Sequence, residues 1–562
     1  MTDFLIFVFY FYFLLFSVIG YGIFFENVCF RNINAFKLKA SIYTGFYGLF
    51  SITLFSLITS IIVPHNFIHN LILHLTGVIF FIYFNFENKK KYIKYIFYIS
   101  IVVFSALLIS KTNDDLSYYH LPFTKYLTEN KIIFGLGNLN HGYNLLSSLF
   151  FFNSTFYLPY IEYYSFHFSL IFFLIFFNFF IISEIFSKKN HSIIKFLYLF
   201  SFTFFNISFN RLSEFGTDKP GQLLIVILII KLFQITCFEK ENNKADKVLL
   251  LVPLLALCIT LKTYFLTYTL LGFTIFILNN NILNNFKFIF YSKSFLSFLF
   301  LILFYFFHHF VSTGCIISPL PATCFSDYFE WARQKKEIVN LSIWLEQWAK
   351  AGAGPNFRVQ NVSEYIHNFN WFTNWIDKYF FNKLLDQTAI LFSTFLLILF
   401  LFKKLSINNF KINFSKKIFF FYFLILVTFY VWFFNHPTLR YGGYSIMFLT
   451  LSIPFSILFH KFYDRENYIQ KVKFLIIFTI IVFNIKNITR IEKELNRDDL
   501  FQYTDFPYFQ IKEKNYKSNK FDVGLTIYTA HHCWATPTPC GHVDEKIYVT
   551  KKNGYFFINK IK

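Results

Sequence analysis

The strongest constraint in this sequence is the recurrence of apolar runs of about 16 to 24 residues, parted by short polar links. Hydrocarbon offers no partner to a peptide group, so a run of that length must satisfy its own backbone, which in one continuous segment means an α-helix. Candidate spans fall at roughly 4–25, 40–63, 66–86, 92–110, 156–186, 192–209, 220–238, 248–263, 264–279, 294–312, 387–402, 418–434, 443–460 and 474–488. The expected fold class is therefore an all-α polytopic membrane protein with about 13 to 14 transmembrane helices. The first run follows no basic leader and lacks a small-residue cleavage site, so it is expected to stay as a helix. With 90 Phe among 562 residues, an aromatic stripe carries little information by itself.

A formal net charge of +21 raises the question of nucleic acid, but the basic residues gather on no soluble patch. They recur in alternate links: Arg31/Lys37/Lys39, Lys89/Lys90/Lys91/Lys94, Lys188/Lys189, Lys240/Lys244/Lys247, Lys287/Lys293, Lys403/Lys404/Lys411/Lys416/Lys417 and Arg465/Lys471/Lys473. If the spans simply alternate, all of these lie on one side, which the positive-inside rule makes the cytoplasm. The bilayer is then the expected partner, and nucleic acid is not.

The opposite links are 111–144, 211–219, 313–386, 435–442 and the tail from 487. Four of the seven cysteines lie there as two close pairs, Cys315 with Cys324 and Cys533 with Cys540. Each pair brackets a proline-containing loop and can close in an oxidising compartment. Cys29, Cys237 and Cys258 lie in or near spans, where packing is the ordinary role. Six tryptophans fall in the outer links and Trp432 at the outer end of its span, which fits either interfacial anchoring or stacking on sugar. Trp344 and Trp348 stand one turn apart in LSIWLEQWAK, as in a helix lying on the membrane surface.

The expected organisation is a bundle over 1–312 carrying an acidic loop at 111–144, a helical lid at 313–386, further spans over 387–488, and a small α/β domain at 489–562. In that last domain FDVGLTIYTA alternates like a strand, and KIYVTKKNGYFFINK reads as a hairpin turning at Asn553-Gly554.

Four outer sites carry candidate chemistry. Asp114, Asp115 and His120 follow the fourth run. Either carboxylate could accept a hydroxyl proton or take part in holding a divalent cation, and the pair would also cap the helix that follows. Glu214 and Asp218 stand in NRLSEFGTDKP, where Asp218 could equally cap the next span. Lys262 interrupts an apolar run, so it either snorkels or meets an anion. His436 and Arg440 lie in NHPTLRYGGY, and a guanidinium can grip two phosphate oxygens at once. There is no phosphate-binding glycine loop of the Walker type, no dinucleotide fingerprint and no CxxC pair, so the cofactor question stays open apart from a divalent cation at the acidic pair.

An acidic motif in an early outer loop, a second acidic site in a later one, and many spans ending in a small external domain resemble the GT-C class of polytopic glycosyltransferases. The strings DDLSYYHLPFTKYLTENKIIFGLGNLNHGYN, GCIISPLPATCF, HPTLRYGGY and CWATPTPC also resemble an uncharacterised family of bacterial integral membrane proteins over most of the chain. The GT-C resemblance implies transfer of sugar from a polyprenyl-phosphate donor to a glycan, lipid or protein acceptor on the extracytoplasmic face of the inner membrane. It implies Asp114 or Asp115 as the loop carboxylate, Asp218 as the second acidic position, and Lys262 and Arg440 at the carrier phosphate. The chain departs from many class members in placing three spans before the one that leads into the loop. A flippase or exporter of lipid-linked saccharide, or a polysaccharide polymerase or ligase, would have similar needs.

Overall fold

The computed structural model describes residues 2–30, 41–84, 89–109, 112–209, 213–239, 244–277, 282–353, 359–403, 416–463, 465–495, 515–543 and 545–561. Arg31, Lys37, Lys39, Lys111, Arg211, Lys240, Lys404 and Lys411 lie outside the described residues, as does 496–514 of the expected terminal domain. Helices form where the long apolar runs demand them: α1 (Thr2–Cys29), α2 (Thr44–Thr59), α3 (Phe67–Tyr83) and α4 (Lys89–Val103), then the short α5 (Leu121–Glu129) and α6 (Ser148–Ser154). The chain continues through α7 (Phe168–Ile185), α8 (Ser192–Ser208), α9 (Asp218–Cys237), α10 (Lys244–Leu249), α11 (Val252–Leu261), α12 (Ile282–Phe290) and α13 (Lys293–Thr313). After α14 (Lys335–Lys350) and α15 (Val362–Ile366) come α16 (Phe372–Trp375), α17 (Leu385–Phe402), α18 (Lys416–Asn435), α19 (Gly443–Phe459) and α20 (Arg465–Leu495).

Among the described residues nine helices are long and apolar enough to cross a membrane, and α2, α3 and α8 are shorter apolar helices packed among them. This is a multi-pass helical architecture. The count departs from the expected 13 to 14 at the runs 248–263 and 264–279. There α11 is only 10 residues long, Lys262 is extended with φ −158° and ψ 122°, and Thr263–Ile277 winds as a 3₁₀ helix. A paired charged residue stands at the break, and hydropathy alone does not register it.

Small residues let the first helices pack backbone to backbone. A Cβ at Gly20 would lie 1.8 Å from the Gly77 carbonyl oxygen on α3, and one at Gly48 of α2 would lie 1.9 Å from the Val18 oxygen on α1. Polar contacts then mark the two ends of the bundle. At one end Lys231 pairs with Glu184 at 2.8 Å, Lys247 pairs with Glu239, and Lys293 reaches the Val28 carbonyl at 3.3 Å. Lys247 and Lys293 belong to two of the basic links, and Lys231 lies inside α9. The opposite end carries the loop after α4, the start of α9, the segment between α13 and α17, the α18–α19 link and the C-terminal strands.

Both cysteine pairs are closed, Cys315–Cys324 and Cys533–Cys540, at that opposite end. The last part of the expected lid belongs to a continuous helix, Phe372–Phe402, which includes α16 and α17. Of the expected C-terminal domain, residues 489–495 are the end of α20, and the described residues from 515 onward form two antiparallel hairpins. One pairs β1 (Lys517–Lys520) with β2 (Thr526–Thr529) and the other pairs β3 (Ile547–Lys552) with β4 (Tyr555–Lys560). The second turns at Asn553 and Gly554, with φ of +50° and +78°, the left-handed pair that a two-residue hairpin needs.

These strands sit on the acidic loop. Phe134 donates its N–H to Phe556 O at 3.0 Å and accepts from Ile558 N at 2.8 Å, while Lys125 Nζ reaches Ala535 O at 2.6 Å. The Trp534 N–H reaches Ser117 O at 3.0 Å. Thiol titration of the unfolded chain checks this arrangement: three thiols should react before reduction and all seven after it. Five or seven reacting without reductant would contradict it.

Candidate active site

Four charged side chains from four distant segments meet at the disulfide-bearing end. Asp218, in the first turn of α9, accepts from Lys262 Nζ at one oxygen and from Arg440 Nε at the other, the latter at 2.9 Å. Arg440 Nη2 donates to Asp115 Oδ2 at 2.7 Å. Lys262 Nζ also reaches the Arg440 carbonyl at 3.2 Å and lies 4.3 Å from the Tyr441 ring centre. Two carboxylates and two cations therefore close a network with no net charge.

Local structure explains each placement. Asp115 precedes Leu116–His120, a π-helical turn in which the Leu121 N–H bonds back to Leu116 O. Such widened turns are rare and re-aim side chains. Lys262 projects from the break between α11 and the 3₁₀ run, and it is paired rather than snorkelling. Arg440 sits on a single 3₁₀ turn, Leu439–Tyr441, ended by Gly442 at φ +85°. A Cβ on Gly442 would be strained there and would lie 2.8 Å from the Tyr268 hydroxyl.

The Arg440 link is held from several sides. Gln222 Nε2 donates to Leu439 O at 2.9 Å, while its Oε1 accepts from Ser445 N at 3.0 Å. Trp375 Nε1 donates to Pro437 O at 2.8 Å, Trp432 Nε1 to Thr438 O at 2.9 Å, and the Leu439 N–H to the Tyr379 hydroxyl at 2.6 Å. Two of the outer tryptophans thus act as clamps on backbone carbonyls. On α14, Trp348 faces the Arg440 guanidinium at 5.6 Å, and Trp344 packs edge-on against His141 at 5.7 Å. The helix covers the network.

The remaining candidates divide. Asp114 is exposed and stands apart from the network, with its backbone oxygen accepting from Ser117 Oγ at 3.0 Å. His120 is buried, and its Nδ1 meets the Glu214 carbonyl oxygen at 2.7 Å. Glu214 thus contributes to this end through its backbone. His436 lies against Tyr441 and Tyr264, with ring centres 4.8 and 5.3 Å away. Tyr264, Tyr441 and Tyr379 carry little mark in the sequence, which holds 37 Tyr. Gln222, polar inside an apolar run, was the one visible cue.

Burial opposes ionisation of Asp115, but Arg440 and then His120 outweigh it and hold its carboxyl below the usual value. Burial also works against the charged form of Arg440, yet Asp218 and Asp115 keep the guanidinium protonated far above ordinary pH. His120 is pushed below its usual value by burial, despite the Asp115 carboxylate nearby. Among the described residues no group of three or more His, Cys, Asp or Glu is gathered to hold a metal ion. Each carboxylate of the network is instead occupied by a cation.

Fold and site together define a multi-pass helical membrane protein with a closed ionic cluster at one end of its bundle. The model of a family described as Domain of unknown function (DUF8201) matches residues 4–448, a stretch that includes all four members of the cluster, and the chain belongs to that family. No curated protein and no solved structure matches it.

Removing the central carboxylate leaves two cations to one anion in a partly buried place. Asp218→Asn should cost about 3 kcal/mol of unfolding free energy in detergent. Adding Lys262→Met should recover at least about 1 kcal/mol relative to the sum of the single changes. Strict additivity in denaturant titrations would show that the pair does not interact.

Proposed function

We propose that this protein is a membrane glycosyltransferase that moves a sugar from a polyprenyl-phosphate donor to a hydroxyl acceptor at the extracytoplasmic face. The observation that carries the proposal is the convergence of Asp115, Asp218, Lys262 and Arg440, with donor capacity left over. Arg440 spends two of its five N–H donors on carboxylates, and Lys262 spends one of its three on Asp218 and another on a carbonyl. The remainder can meet phosphate oxygens, for which a planar guanidinium is well shaped. Two disulfides at the same end fit an oxidising compartment, and the GT-C resemblance has the same layout of acidic loops.

In this scheme the acceptor hydroxyl gives its proton to Asp115 as its oxygen attacks the anomeric carbon. The bond from that carbon to the phosphate oxygen breaks, and polyprenyl phosphate leaves with the electron pair, its charge met by Arg440 and Lys262. Asp218 positions both cations. Binding of the donor phosphate draws Arg440 away from Asp115, which removes the partner that depresses the carboxyl and raises its basicity when a base is needed. Acceptor activation is thereby coupled to donor occupancy.

Asp115→Asn should lower sugar transfer in membrane vesicles by about 100-fold or more at unchanged protein level. Asp114→Asn, at an exposed carboxylate outside the network, should stay within about threefold of the parent. Equal losses from the two variants would remove the assignment of Asp115. A free-enzyme carboxyl held below its normal value stays ionised until the pH falls through that lowered value. The acid limb of the transfer rate on subsaturating donor should therefore lie below about pH 4, and a limb between about pH 6 and 7 would indicate a histidine base.

A further inference from the structure

Beside the ionic network stand two uncharged polar side chains on adjacent rings, His436 and Tyr264. Among the described residues, His436 Nδ1 and the Tyr264 hydroxyl are both buried and have no hydrogen-bond partner. Buried polar groups without partners are uncommon, because each forfeits its hydration for nothing, and two on adjacent rings call for an explanation. The rings form a triangle: Tyr264 meets His436 at 5.3 Å and Tyr441 at 5.3 Å, and His436 meets Tyr441 at 4.8 Å.

Tyr441 is the ring over which Lys262 Nζ sits, and it lies edge-on to Trp348 at 6.4 Å. The His436 and Tyr264 rings therefore stand one ring away from the cationic centre, across Tyr441. Burial, with Lys350 and Lys262 nearby, pushes the His436 imidazole down to about 4, so it is neutral at ordinary pH and offers one ring nitrogen as donor and the other as acceptor. A phenol likewise donates and accepts. A neutral imidazole and a phenol next to one another complement hydroxyl groups, which have the same dual character, and do not complement a second anion. Aromatic walls suit the apolar faces of a sugar ring.

We propose that His436 Nδ1 and the Tyr264 hydroxyl form a neutral subsite that holds hydroxyl groups of the sugar attached to the phosphate at Lys262 and Arg440. This rests on the glycosyltransferase reading and specifies its donor side: the phosphate is fixed by charge and the sugar by two uncharged hydrogen bonds. The subsite sets selectivity among sugars and contributes little to holding the bare carrier.

The test is binding of dodecyl phosphate and a panel of its glycosides (glucosyl, galactosyl, mannosyl, N-acetylglucosaminyl and arabinosyl) to the detergent-solubilised full chain. At least one glycoside should bind about tenfold more tightly than dodecyl phosphate. Tyr264→Phe and His436→Phe should each reduce that gain by about three- to tenfold, and the double variant should abolish it, with dodecyl phosphate affinity unchanged within about twofold. Tyr264→Phe removes only an unpaired hydroxyl, so it controls for folding. Arg440→Gln should weaken all the probes alike. If no glycoside exceeds dodecyl phosphate, or if the aromatic variants weaken both kinds of probe equally, the subsite is refuted while the phosphate site stands. If Arg440→Gln changes nothing, the underlying transferase reading fails instead.

Discussion

The structure turns on one carboxylate shared by two cations. Asp218 receives Lys262 on one oxygen and Arg440 on the other, and through them it ties together the start of α9, the break after α11 and the α18–α19 link. Arg440 then extends the tie to Asp115 and the acidic loop. Charges drawn partly out of water are costly unless each is matched, and a neutral set of two and two meets that condition. It also means that no single member can be lost without leaving an uncompensated neighbour. At the break after α11, Lys262 is extended and paired with that carboxylate.

A network of this kind is useful for chemistry only if its members stay in place. The Arg440 link is fixed by Gln222, Trp375, Trp432 and Tyr379, all bonding to its backbone. The acidic loop is fixed from outside by β4 through Phe134 and by the Cys533–Cys540 loop through Lys125 and Ser117. Aromatic and amide side chains thus hold the link that carries Arg440, while the C-terminal segment holds the loop that carries Asp115.

Much of this was legible in the sequence, for identifiable reasons. Apolar runs of membrane length marked twelve helices, but α7 starts well inside the run at 156–186, the helix Phe372–Phe402 starts before its run at 387, and α20 outruns 474–488 at both ends. Asp115, Asp218, Lys262 and Arg440 stood out because ionisable residues beside apolar runs need partners. That need is physical and leaves a mark in one dimension. The partners themselves left none: nothing in the spacing says that Arg440 bridges Asp115 and Asp218, or that Asp114 points away from them. The 3₁₀ run at 263–277 was hidden because hydropathy does not distinguish helix types. Trp344 and Trp348 shared a helical face as expected, but whether that face met lipid or a site depended on contacts with His141 and Arg440 far away in the chain. Tyr264 and Tyr441 were lost among so many aromatic residues.

The central claim is that the ionic cluster handles a lipid-linked sugar, and the most direct measurement is mass spectrometry of the lipid-linked saccharide pool in cells lacking the protein. On this account one polyprenyl-phosphate sugar accumulates in those cells, falls to the normal level on complementation with the parent chain, and stays high when the complementing chain carries Asp115→Asn. A pool that is the same in all three strains, with the variant protein present in the membrane at parental level, would contradict it.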